Sequence, residues 1–176
     1  MGVKVITAAA NILTLAQVRL HLRLIGDPHP EDSLLLSSLA AAVQFAEHYT
    51  GRSIGVQTLE LALNAFPVGA IDLPQGPILS ITSIKYLDVA GIEQTLLPSA
   101  YTLDDYSLQN RAVGVAEWPA AGVFSNAVKV RYQAGNVLPA VQAALLLTVG
   151  ELYENREQAE LSRGACALLD TVKAYS

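Results

Sequence analysis

The stretch from Leu138 to Arg156 limits the fold more than any other. Pro139 suits a first helical turn, where its missing N–H is not needed. Val141, Leu145, Thr148 and Leu152 then repeat at the spacing of one helix face. Ala144, Leu146, Leu147 and Val149 fall on other faces. A helix that is apolar most of the way round is buried on more than one side. The core of one small domain covers only part of such a helix, and a second subunit is the simplest cover for the rest. Assembly is therefore the first expectation, ahead of catalysis.

Charge points the same way. Hydrophobic residues make up 52% of the 176-residue chain and charged residues 15%, against about 25% in ordinary soluble domains. Disorder is excluded by so apolar a composition, and a lone monomer would expose large apolar patches. The net charge is −5, with 11 basic and 16 acidic residues and no basic run. A protein that grips DNA needs clustered cations to displace counterions, so DNA binding is not expected. Arg19 and Arg23 share a face of an expected helix and read as a solvated pair. The single cysteine, Cys166, allows no disulfide within the chain and reads as a small buried hydrophobe. The longest apolar run, Val137 to Val149, is broken by Gln142 and Thr148 and falls short of the ~18 residues of a membrane span. No membrane association is expected. The N-terminal run to Leu15 is interrupted by Asn11 and flows into a helix, unlike a signal peptide.

In chain order, residues 1–13 read as extended, with Val3, Val5 and Ile6 in a strand or an arm. Thr14 and Gln17 form a capping box for a helix expected to end near Ile25-Gly26, followed by a rigid turn at Asp27-Pro28-His29-Pro30. A second helix is expected from about Pro30 to Thr50, with Gly51 as its left-handed cap. Its apolar stripe is Leu35, Leu39, Ala42, Val43, Ala46 and Tyr49, and Leu34 and Leu36 spread beyond it. From Ser53 the period changes to two. Strands are expected at 57–63, 71–73, 80–88, 93–97, 101–103, 112–115 and 127–132, forming a small antiparallel sheet or barrel. Helix returns at Leu138 to Arg156 and from Arg163 to Tyr175. The fold class is α+β, with a small helical bundle from the two ends of the chain and an inserted antiparallel β-rich region. The segments are 1–53 (arm and helices), 54–135 (β-rich insertion) and 136–176 (C-terminal helices), expected as one compact unit.

Catalytic and metal patterns are missing from the sequence. His21, His29 and His48 are far apart, and there is no His-Glu-x-x-His, cysteine pair, nucleophile elbow or phosphate loop. Glu151, Glu154 and Glu157 lie on nearly one helix face, without the Glu-x-x-His spacing of a bundle metal site. They read as a solvated stripe. Asp104 and Asp105 are adjacent, so on a strand they face opposite ways. No catalytic residue, cofactor or metal is assigned. The candidate interface residues are Leu36, Leu39, Val43, Arg52, Leu146, Leu147 and Val149, with core and interface not separated among them. For Arg52 three readings stay open: a pair with Glu47, a pair with a neighbouring subunit, or an ordinary exposed arginine.

Several stretches, taken in order, resemble the head–tail connector, or head-completion adaptor, proteins of tailed bacteriophages. They are Leu15 to Arg23, Glu47-His48-Tyr49-Thr50-Gly51-Arg52, Leu73-Pro74 through Pro77 to Asp88, Val128 to Gly135, and Leu152-Tyr153-Glu154-Asn155-Arg156-Glu157. Each is weak alone; the set in sequence is more specific. The resemblance implies a structural, non-enzymatic subunit of a ring, dodecameric, docked beneath the portal protein of the virion. DNA would pass through its channel without specific binding, a tail-completion protein would meet the lower face, and assembly would occur in the host cytoplasm. The C-terminal segment departs from the family, which often runs longer and more basic there. Two rivals remain. One is a tail-completion or tail-terminator ring; the other is a small enzyme or ligand-binding domain with a pocket between bundle and sheet.

Overall fold

The computed structural model describes residues 2–10, 12–106, 110–155 and 162–173. The chain forms two compact units, one from residues Met1–Ala9 and Val56–Gly135 and the other from Ala10–Gly55 and Asn136–Ser176.

The first unit is built on alternation. In β2 (Gln57–Leu63) burial alternates as far as Leu61, and in β8 (Val128–Ala134) every second side chain is buried, so each strand has one core face and one outer face. The sheet runs β1-β2-β8-β4-β5 and is antiparallel throughout, with β1 at Gly2–Thr7, β4 at Ile78–Leu87 and β5 at Glu93–Thr95. A second sheet, in the order β3-β7-β6, comprises Ile71–Asp72, Arg111–Gly114 and Tyr101–Asp104. Leu59, Leu61, Ile84, Val130 and Tyr132 of the first sheet share one core with Ile71, Tyr101 and Ala112 of the second. The inserted region is thus two sheets on one core. Of the two readings of the N-terminal stretch, strand or arm, it is a strand of the first sheet, with Val3 and Val5 opposite Leu61 and Leu59. Expected and observed strand ends differ by at most two residues.

Outside the core, Glu60 stands opposite Lys4 on one side and Arg131 on the other, and Arg131 Nη2 lies 2.6 Å from Glu60 Oε2. Lys85 stands opposite Lys129, a like-charge pair that costs stability, and Lys85 Nζ bonds Glu93 Oε1 at 2.8 Å. The β4–β5 hairpin turn is held by Asp88, whose carboxylate accepts from the amides of Ala90 (2.9 Å) and Ile92 (3.0 Å) and from Gln94 Nε2 (2.9 Å). These bonds, Gln94's foremost, hold the Asp88 carboxyl below its ordinary range. Gly122 passes beneath this turn, where a Cβ would stand 2.5 Å from the Asp88 carbonyl oxygen, so only glycine fits.

The second unit is helical. Thr14 caps α1 (Leu15–His21), with Gln17 reciprocating from the third position. The helix stops about one turn earlier than its sequence suggests. Arg23 takes a positive φ of 57°, and Arg19 Nη1 donates 2.6 Å to the carbonyl of Gly26, folding the chain back. Arg19 and Arg23 therefore do not share a helix face. Arg19 is no solvated arginine: its side chain is 11% exposed and pairs with Asp27 at 2.9 Å and Asp32 at 3.3 Å. Next comes α2 (Asp32–Thr50), closed by Gly51 at φ 67°, the left-handed cap that glycine supplies at least cost. α3 spans Pro139–Glu154, and α4 spans Arg163–Asp170 with Ser162 as its cap. Helix α3 packs against α1, α2 and α4. Among the described residues no helix is long and apolar enough to cross a membrane.

Candidate subunit interface

The buried line of α2 is Leu35, Ser38, Ala42, Ala46 and Thr50. That of α3 is Val141, Ala144, Leu145, Thr148 and Val149. Each follows the three-and-four spacing of one helix face. Of the three polar residues in these lines, the two threonines satisfy their hydroxyls by bonding back along the helix. Thr50 Oγ1 donates to the carbonyl of Ala46 at 2.7 Å, and Thr148 Oγ1 to that of Ala144 at 2.8 Å.

These lines sort the candidate residues. Val149 is fully buried and belongs to the core of the helical unit. Leu39, Val43 and Leu146 are half-buried. Leu36 is 55% exposed and Leu147 38% exposed, so these two present apolar surface on the free subunit. Leu147 also flanks α4, its Cδ1 lying 3.5 Å from where a Cβ on Gly164 would stand. Arg52 is half-buried just beyond the α2 cap, its amide donating 3.3 Å to Thr50 Oγ1. Glu47, one of the partners left open for Arg52, accepts from the amide of Ile54 at 2.9 Å.

α4 is fastened to α2 by a polar contact. Tyr49 Oη donates to Asp170 Oδ1 at 2.8 Å, and Lys173 Nζ sits 4.4 Å from the Tyr49 ring centre, a cation–π contact. The bond to Asp170, with desolvation and the Asp170 charge behind it, pushes the Tyr49 hydroxyl up to about 12. The folded chain therefore holds this proton more tightly than the unfolded chain, where it leaves near its ordinary value of 10.0. The contribution is complete below that value and is lost as pH rises from there through about 12. Tyr49→Phe is expected to abolish this part of the alkaline stability loss, read as melting temperature across the alkaline range.

The β unit carries apolar surface that the sequence reading did not single out. Val68, Val115 and Val123 are among its most exposed large apolar residues. A groove of about 620 Å³ is lined by Phe66, Val68, Gly69, Trp118 and Pro119 among others. Trp118 stacks on Phe66, with ring centres 5.2 Å apart and planes within 5°, and its Nε1 donates to the Gly69 carbonyl. The lone tryptophan of the chain, set beside a proline between two strands, was the signal available.

Chemistry is sparse. Among the described residues no three His, Cys, Asp or Glu side chains could hold a metal ion together. His21 and His48 are exposed, while His29 Nδ1 accepts from the Glu31 amide at 3.2 Å. Asp104 ends β6, and its Oδ1 accepts from the Tyr106 amide at 3.2 Å. Cys166 is half-buried. Glu151 is half-buried and Glu154 exposed. Arg156, Glu157 and Tyr175, which the sequence reading placed on helices, lie outside the described residues.

The fold is similar to chains in solved gene transfer agent (GTA) particles. One, in the neck of an empty particle computed with C6 symmetry, has 27% identity, a TM-score of 0.85, and coverage of 100% of this chain and 97% of that one. Another, in the virion of a native particle, has 26% identity and a TM-score of 0.84 with the same coverage. A third, in the neck of a native particle computed with C12 symmetry, has 24% identity, a TM-score of 0.81 and the same coverage, and shows the fold alone. A search of curated proteins finds no match. Residues 12–110, more than half of the chain, match the family described as phage gp6-like head-tail connector protein. The helical core, the double sheet and this match agree: the chain belongs to the phage gp6-like head-tail connector family.

Proposed function

We propose that this chain is one subunit of a closed connector ring in the neck of a virion. In this reading the ring docks beneath the portal, continues the DNA channel and offers a platform to a tail-completion protein. The subunits are made in the host cytoplasm and do no chemistry of their own. The observation that carries the reading is the likeness over the full chain, at 27% identity, to a subunit of a neck with sixfold symmetry. Twelve copies, the number implied by the family resemblance, suit that symmetry. The exposed Leu36 and Leu147 supply apolar surface for a neighbour, and interfaces between permanently assembled subunits are rich in such surface.

DNA passes this ring without being gripped. The chain is acidic overall. The outer face of the larger sheet carries Lys4, Lys85, Lys129 and Arg131, but Glu60 and Glu93 are interleaved with them and pair with two of the four. Anisotropy titrations with a labelled duplex are expected to show weak binding with a shallow dependence on salt. Tight binding with a steep salt slope would contradict this reading, because such a slope counts phosphates neutralised.

A tail-terminator ring is the rival assembly. Pull-down with purified portal protein and, separately, with tail-tube protein separates the two. Retention by portal supports the connector, and retention by the tail tube alone overturns it.

A further inference from the structure

We propose that Arg52 is the receiving residue of a subunit contact, its guanidinium taking a carboxylate from a second copy of this chain. The inference rests on the ring reading above and names a residue on which the ring depends.

Among the described residues, five buried side-chain polar atoms meet no hydrogen-bond partner: Arg19 Nε, Asp32 Oδ1, Arg111 Nε, Arg52 Nε and Ser53 Oγ. Three of them stand in ion pairs. Arg19 Nε lies 3.3 Å from Asp32 Oδ1, and Arg111 Nε lies 3.0 Å from Asp72 Oδ1. The two that remain are neighbours in sequence and line one crevice with Thr50, Asn136, Leu138 and Val141. Ser53 is 2% exposed. The ion pairs among the described residues use Arg19, Lys85, Arg111 and Arg131, and Arg52 is in none of them. A guanidinium does not escape burial by losing its proton. Its buried Nε–H is offset only by an acceptor, and a carboxylate is the strongest one.

The crevice is about 10 Å³, far below the hundreds of Å³ of a small-molecule pocket. A small molecule held in the crevice is therefore not what meets Arg52. The chain has 16 acidic residues against 11 basic, so its own surface is a source of unmatched carboxylates. In a closed ring each subunit offers two different surfaces, one to each neighbour, and a cation on one can meet an anion on the other. Leu138, at the same crevice and 38% exposed, gives the contact an apolar flank. Arginine set in partly desolvated surroundings is a common anchor of interfaces. The backbone is already held. Gly51 has its left-handed φ, and Ile54 bridges to Asn136.

The test compares wild type, Arg52→Gln and Arg52→Lys for the melting temperature of the free subunit and for the concentration at which rings form, by native mass spectrometry. Arg52→Gln is expected to melt with wild type and to need at least about tenfold more protein to assemble, since tenfold corresponds to about 1.4 kcal/mol. Arg52→Lys, which keeps the charge without the fork, is expected to fall between them. If wild type forms rings and Arg52→Gln forms them at the same concentration, the role of Arg52 is overturned and the ring stands. A free Arg52→Gln subunit that melts well below wild type also overturns it, since the guanidinium then serves the subunit's own fold. If wild type forms no ring, alone or with portal, the ring reading itself fails.

Discussion

Replacing Tyr132 by alanine is expected to destabilise the β unit by about 3–5 kcal/mol, the range for removing a buried aromatic ring. Among the described residues Tyr132 is the largest side chain that is fully buried. It sits on β8, the central strand, with Leu59 opposite on one side and Ile81 on the other. Its hydroxyl donates 3.0 Å to the Pro74 carbonyl, fastening the strand to the segment between β3 and β4. Burial raises its ionisation above the ordinary tyrosine value, so it stays protonated throughout the neutral range. Tyr132→Phe keeps the ring and loses the hydrogen bond, with an expected cost of about 1 kcal/mol. Urea unfolding followed by tryptophan fluorescence reads both, since Trp118 belongs to this unit. Val123→Ala, at a fully exposed position, is expected to stay within about 0.5 kcal/mol of wild type. A Tyr132→Ala protein with the wild-type midpoint would contradict the core described.

Leu145→Ala carries the second large effect, about 2–5 kcal/mol in the helical unit. Leu145 is fully buried in the middle of α3, the helix against which the other three pack. Leu147, two residues on, is 38% exposed, and Leu147→Ala is expected to cost the free subunit less than about 1 kcal/mol. The ring reading adds a reversal. In the assembled state Leu147→Ala is expected to show a larger effect than in the free subunit, as a lower melting temperature of the ring. Chemical unfolding of the free chain checks the first part, and thermal melting of purified rings checks the second. Equal effects at Leu145 and Leu147 in the free subunit would mean that α3 is buried on both faces without a neighbour.

Local chemistry made part of this fold readable in the sequence. The capping box at Thr14 and Gln17, the glycine cap at Gly51 and the alternating strands depend on neighbours a few residues away. Partnership between distant segments was less legible. Gly2–Thr7 reads as a strand or an arm, because nothing in its own residues names β2 as its partner. The early end of α1 depends on Arg19 reaching Gly26 and Asp32, a contact between segments rather than a property of the helix. Ser38 lies on the buried line of α2, where hydrophobicity alone favoured Leu39. In α3 the apolar residues run round the helix, so periodicity could not tell Val149, which is core, from Leu147, which is not. For Arg52 the sequence leaves a pair with Glu47, a pair with a neighbour and plain exposure open, and Glu47 accepts from the Ile54 amide. That the Arg52 Nε is buried without a partner depends on the fold around it, not on neighbouring residues in sequence.

The central claim is that this chain works as a ring. Its most direct test is the mass of the wild-type protein by light scattering over a concentration series, alone and with purified portal. The account predicts a closed oligomer of one defined size, a multiple of six subunits, formed alone or on the portal. A protein that stays monomeric at every concentration and ignores the portal would contradict it.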